Sequence, residues 1–171
     1  MSERERDHDN DAEFDARLNL PPHRLAIALV SPQIAPNTGN IARTCVATGT
    51  ALHLVRPLGF VLSDRNLRRS AMDYWRRLRV TVHDDLDAFL CAMKDRRLWL
   101  FDSAGVTSLW AARFADGDVL VFGSETRGLD PALLAARPAQ VLRLPQLAEE
   151  RCLNLATAAG AGIYEALRQV T

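Results

Sequence analysis

The chain has 171 residues, 48% of them apolar, enough for one domain with a substantial core. Three widely spaced cysteines (Cys45, Cys91, Cys152) and four scattered histidines speak against a disulfide scaffold or a metal site. No run is long enough to span a bilayer, and no leader pattern opens the chain, so a cytoplasmic protein is expected. The net charge of zero hides an asymmetry: residues 1–23 carry seven acids and three arginines, so the other 148 form a mildly basic body.

Residues 1–23 are polar and non-periodic, which predicts a disordered acidic arm, with Pro21-Pro22 as its boundary. The domain then spans 24–171. Residues 25–30 (LAIALV) are a continuous apolar run that predicts a strand covered on both faces. The segment 31–36 reads as its exit loop, followed by Asn37-Thr38-Gly39-Asn40. Ile41, Ala42, Cys45 and Val46 fall at helical spacing, and Gly49 closes that helix. A second strand follows over 51–55. A strand–helix–strand unit this short implies parallel pairing.

Residues 64–79 hold six arginines, among them Arg68 and Arg69, interleaved with Leu67, Met72, Tyr74 and Trp75. That is the composition of a surface for phosphates and bases, or of an amphipathic helix with solvated arginines. A helix is predicted over 84–94 and a buried strand over 98–101. The central stretch is 119–129: the strand VLVF, entered at Asp118, then the loop Gly123 to Gly128 with Glu125 and Arg127. Asp130-Pro131 reads as an N-cap and first helical residue, giving a helix over 130–136. A fifth strand covers 141–144, and the chain closes with a helix from 153 to 170. In that helix Gly160 and Gly162 lie among alanines, which predicts close approach of another backbone. Alternating strands and helices define an α/β domain with a mostly parallel sheet flanked by helices.

Three strand exits carry the polar residues: 37–43, 123–128 and 144–154. Ligands bind at the carboxyl ends of strands in open α/β sheets. Taken alone, Gly123 and Gly128 are also explained as turn glycines, and Asn40 as a helix cap. Neither a Rossmann nor a Walker glycine pattern occurs, and no nucleophile elbow or histidine stands in these loops. Glycines, asparagines and arginines suit a group transfer in which a cofactor supplies the reactive carbon.

Asn37-Thr38-Gly39-Asn40-Ile41-x-Arg43, Phe122-Gly123-x-Glu125-Thr126-Arg127-Gly128-Leu129 and Arg151-x-x-Asn154-Leu155 resemble the three motifs of the SPOUT methyltransferases, α/β knot enzymes that use S-adenosylmethionine. The minimal tRNA wobble-position cytidine/uridine 2′-O-methyltransferases are the most similar group. Leu67-Arg68-Arg69, Asp73-Tyr74 and Asp116-Gly117-Asp118 add to that likeness, which covers about 25–170. The resemblance implies a C-terminal trefoil knot, a homodimer, a tRNA substrate, and neither metal nor membrane. It implies cofactor contacts at Phe101, Gly123, Leu144 and Cys152. Arg43, Asn40, Glu125 and Asn154 are implied as the catalytic set. Arg43 would stabilise charge at the reacting hydroxyl, Glu125 would orient arginines, and the asparagines would fix loops or ribose. Arg127, Arg151, Arg68 and Arg69 are implied as RNA contacts. The chain departs from its relatives at Cys152, Ala156 and Thr157. Methylation of another tRNA position or of rRNA, and a non-catalytic RNA- or nucleotide-binding module, are the alternatives.

Overall fold

The computed structural model describes residues 20–62, 76–147, 150 and 152–171. Most of the acidic arm, part of the arginine-rich stretch with Arg68 and Arg69, and Arg151 lie outside the described residues.

Among the described residues, seven strands form one sheet in the order β3-β2-β1-β6-β4-β7-β5. They are β1 (Ala26–Val30), β2 (Ala51–Val55), β3 (Val80–His83), β4 (Leu98–Phe101), β5 (Thr107–Ser108), β6 (Val119–Phe122) and β7 (Val141–Arg143). Every pairing in the sheet is parallel. All strands therefore deliver their carboxyl ends to one edge.

Side chains alternate across the sheet with the period of two that a strand imposes. Ile27, Leu29, Trp99, Phe101, Leu120 and Phe122 face one core. Helices α1 (Ala35–Thr48) and α4 (Leu155–Val170) cover that core with Ile41, Cys45, Ala159, Ile163 and Leu167. Ala26, Ala28, Leu98, Leu100, Val119 and Val121 face the other. Helices α2 (Leu86–Ala92) and α3 (Pro131–Ala136) border it, with Phe89 and Leu133. Each large apolar side chain so buried contributes roughly 1.5–3 kcal/mol. Burial on both faces is why β1, β4 and β6 read as unbroken apolar runs.

Three differences from the sequence reading have physical causes. Helix α1 begins at Ala35, so Asn37, Gly39 and Asn40 are helical rather than part of an exit loop. Pro36 signals a break in the sequence, yet in a first turn its missing N–H costs nothing. Strand β3 was not anticipated, because Val80–His83 is a partly exposed edge strand without an apolar run. Strand β5 is only two residues long and carries no readable period.

Helix α4 also differs in detail. A Cβ at Gly162 would stand 3.0 Å from the Phe101 ring and 3.2 Å from Leu120, so that glycine admits side chains, not another backbone. Among the described residues, none comes within 4 Å of a Cβ at Gly160.

At the sheet edge, His53 and His83 are buried side by side on β2 and β3. His53 Nδ1 lies 3.0 Å from His83 Nε2, and both rings pack on Phe89.

Candidate active site

The described parts of the three polar segments meet at the carboxyl edge of the sheet, joined through Glu125 and Asn37. Glu125 follows β6. Its Oε2 accepts a hydrogen bond from the Gln33 amide at 2.8 Å. Its Oε1 accepts from the Ile34 amide at 3.2 Å and from Asn37 Nδ2 at 3.0 Å. Asn37 Oδ1 in turn accepts from Asn154 Nδ2 at 3.0 Å. Asn154 caps α4 by accepting from the amides of Ala156 at 2.9 Å and Thr157 at 3.4 Å. Thr126 Oγ1 donates to Gln33 Oε1 at 2.8 Å, a second tie between the first two segments.

Glu125 thus does the work of a helix cap. The N-cap position of α1 is Ile34, whose side chain accepts nothing. The amide of Ile34 itself, and that of Gln33 just before it, find the carboxylate of a distant loop instead. Burial pushes the Glu125 carboxyl up. Hydrogen bonds from Asn37 and the amides of Gln33, Glu125 and Ile34 outweigh it, holding the group below the usual glutamate value. It is therefore ionised at neutral pH.

The loop that presents Glu125 is built by its glycines. The Ser124 amide donates to Gly128 O at 3.1 Å and the Gly128 amide to Ser124 O at 2.9 Å. A Cβ at Gly123 would lie 2.0 Å from the Gly128 carbonyl carbon, so only glycine closes this turn. Gly128 has φ of 67°, the left-handed region that favours glycine.

The other expected site residues sit on the strands, loops and helices that meet at or leave this edge. Phe101, Gly123 and Leu144 directly end or follow β4, β6 and β7, whose strands are neighbours. Phe101 stacks on Phe122 with centroids 4.5 Å apart, and Leu144 is half-buried. Together they offer apolar walls and main-chain groups without a charge. Cys152 is an exposed thiol two residues before Asn154. Asn40 and Arg43 are exposed on α1, three residues apart and so on one face. Arg127 is exposed in the Glu125 loop, its amide donating to Ser124 Oγ at 3.2 Å.

The sequence reading gave Asn37 no role of its own, although it is buried and touches both other segments. The available signal was an amide side chain in a first helical turn with no apolar reason to be buried.

Two clefts are open, one away from this edge and one that reaches Leu144 beside it. One of about 450 Å³ opens at the amino ends of the strands, among Arg24, Arg79, Arg96 and Arg97. Those guanidiniums are tied up: Arg24 pairs with Asp116, Arg97 with Asp118, Arg96 bonds the Gly117 carbonyl and Arg79 that of Gly49. It is a structural seam, far along the strands from the motif loops. A second cleft of about 420 Å³ runs beside α4, lined by Trp110, Leu144, Leu153 and Tyr164. Among the described residues, no three His, Cys, Asp or Glu side chains gather as a metal site. No described helix is long and apolar enough to cross a membrane.

A parallel α/β sheet with its polar loops knit together at the carboxyl edge is a ligand-binding architecture. Comparison with known proteins gives the family. Residues 24–164 match the SpoU rRNA Methylase family, and the chain belongs to it. It is 44% identical over 147 residues to the tRNA (cytidine(34)-2'-O)-methyltransferase of Escherichia coli K12, covering 85% of this chain and 94% of that one. A solved structure described as giving insights into the 2-OH methylation of C/U34 on tRNA superimposes with a TM-score of 0.83. It is 46% identical and is covered to 97%, against 87% of this chain. An AdoMet-bound rRNA methyltransferase from Sinorhizobium meliloti shares the fold at 24% identity. Its TM-score is 0.77 over 91% of this chain and 60% of that one.

Proposed function

We propose that this chain transfers a methyl group from S-adenosylmethionine to the ribose 2′-hydroxyl of a pyrimidine at the wobble position of tRNA. The observation that carries this reading is the junction of three motif segments through Glu125, Asn37 and Asn154 at one sheet edge. The 44% identity to a tRNA (cytidine(34)-2'-O)-methyltransferase supports the choice of nucleotide.

Phe101, Gly123, Leu144 and Cys152 would hold the cofactor. An uncharged, apolar donor set suits an adenine ring held by main-chain groups. The cofactor supplies an electrophilic sulfonium methyl. The protein's task is to bring the ribose oxygen within about 3–3.5 Å of it, in line, and to stabilise the developing negative charge. Arg43 is our candidate for that charge, as an electrostatic partner rather than a base. Asn40, on the same face of α1, would help place the ribose. Arg127, with Arg68, Arg69 and Arg151, would meet RNA phosphates. A C-terminal knot, a homodimer and a cytoplasmic location complete the reading, with the catalytic domain spanning 24–171.

Incubation with bulk tRNA and methyl-labelled cofactor, followed by nucleoside analysis, tests it. Label in 2′-O-methylated cytidine or uridine at position 34 is expected. Label confined to another tRNA position or to rRNA would move the target, and no transfer would reject the enzyme. The Arg43→Ala variant should retain cofactor affinity and lose about 100-fold or more in turnover. Near-normal turnover would remove Arg43 from the mechanism.

A further inference from the structure

Asn37 has a side chain whose two ends are dictated by its neighbours. An ionised Glu125 can only accept, so Nδ2 of Asn37 must face it. Asn154 spends its oxygen on the α4 amides, so its NH₂ must face Asn37 Oδ1. Donation therefore runs one way, from Asn154 to Asn37 to Glu125. Asn37 is 7% exposed, so its amide depends on these two partners rather than on water.

The relay links the amino ends of two helices. Glu125 supplies the cap that α1 lacks, and Asn154 caps α4. These helices pack on each other over the same core. We propose that Asn37 is a positioning residue: it sets the register between the α1 and α4 ends, and so the placement of Arg43 and the motif loops, through its amide polarity. This deepens the methyl-transfer reading above and rests on it. The residue acts through Glu125 and Asn154, not on the substrate.

Reversing polarity tests this. In Asn37→Asp a carboxylate oxygen replaces the donor about 3 Å from Glu125. Two carboxylates that close cannot both ionise, so the pair takes up a proton as pH falls and the hydrogen bond re-forms. Methyl transfer to tRNA relative to wild type should be down about 100-fold at pH 8.5, since small misplacements cost that much. It should recover about tenfold or more by pH 6. The fall should appear in kcat more than in KM. In the double variant Asn37→Asp/Glu125→Gln the glutamine NH₂ donates to the introduced carboxylate and its oxygen keeps the Gln33 amide, while the Ile34 amide loses its acceptor; the single negative charge moves by one partner. It should outperform Asn37→Asp at pH 8.5.

Amide hydrogen exchange at Gln33 and Ile34 gives a readout without cofactor or RNA. Both should exchange faster in Asn37→Asp at high pH and regain protection, after correction for intrinsic rates, at low pH. If Asn37→Asp does not fold, Asn37→Ser, whose hydroxyl is too short to bridge, should speed exchange at the same two amides. A pH-independent deficit with a double variant no better than Asn37→Asp overturns the proposal. So does unchanged protection at Gln33 and Ile34. If the wild type methylates no RNA, the functional reading fails alone, and the exchange data still decide the relay.

Discussion

Gly123 has no room for a side chain. The neighbouring Gly128 carbonyl carbon sits where a Cβ would be, 2.0 Å away, and that neighbour is backbone rather than a flexible side chain. Gly123→Ala must therefore open the turn that presents Glu125. We expect a loss of about 1–3 kcal/mol in stability from this overpacking, read by urea unfolding. Cofactor affinity should fall by more than tenfold in calorimetry. A variant with wild-type stability and affinity would mean the turn is not needed closed. Glu125 illustrates a different point at the same scale. In the sequence, the likeness of its motif implies that it orients arginines. In the fold it is a helix cap for residues about ninety positions earlier.

Among the elements, α4 and β3 show how tertiary context decides the worth of a residue. Gly160 and Gly162 look equivalent in the sequence. Gly162 lies under the Phe101 ring, whereas Gly160 faces open space. Gly160→Ala should therefore stabilise the protein by about 0.5–1 kcal/mol, the helix-propensity difference, measured as a shift in urea midpoint at constant slope. Destabilisation would show that the α4 surface is packed against something in solution. Strand β3 is held at the sheet edge partly by the His53–His83 contact. Burial lowers the His53 pKa from 6.5 to about 4, with His83 and then Arg96 adding to the effect. His83 is lowered mainly by burial, which nearby Asp84 opposes. The folded state thus binds these protons less readily than the unfolded chain. Stability from the pair is complete above pH 6.5 and falls as pH drops towards 4. Urea unfolding at steps across that window should show the decline, and His53→Phe should flatten it. An unchanged slope in His53→Phe would place the acid sensitivity elsewhere.

Over the whole molecule, parallel pairing is what makes a site possible. Residues from 33 to 43, 123 to 128, 144 to 147 and 152 to 154 reach one edge because every strand points the same way. A ligand there bridges segments more than a hundred residues apart, so binding should stabilise the fold as a unit. S-adenosylmethionine at 100 times its Kd should raise the unfolding free energy by about 2.7 kcal/mol. Absence of any thermal shift at millimolar cofactor would contradict the cofactor assignment.

The buried strands β1, β4 and β6 were legible residue by residue, because burial on both faces demands unbroken apolar runs. So were the caps at Gly49 and Asp130, since local backbone geometry selects those residues. The three polar segments, and the likeness they carry, also lay in the sequence. What only the tertiary structure decided was who partners whom. An amide and a carboxylate bear no mark of the groups they will bond across 88 or 117 residues. Those choices follow from strand order and helix packing, which bring particular donors and acceptors together after water has been excluded. Hence Asn37 stood unnoticed inside a motif, while the fold makes it the link between the other two segments.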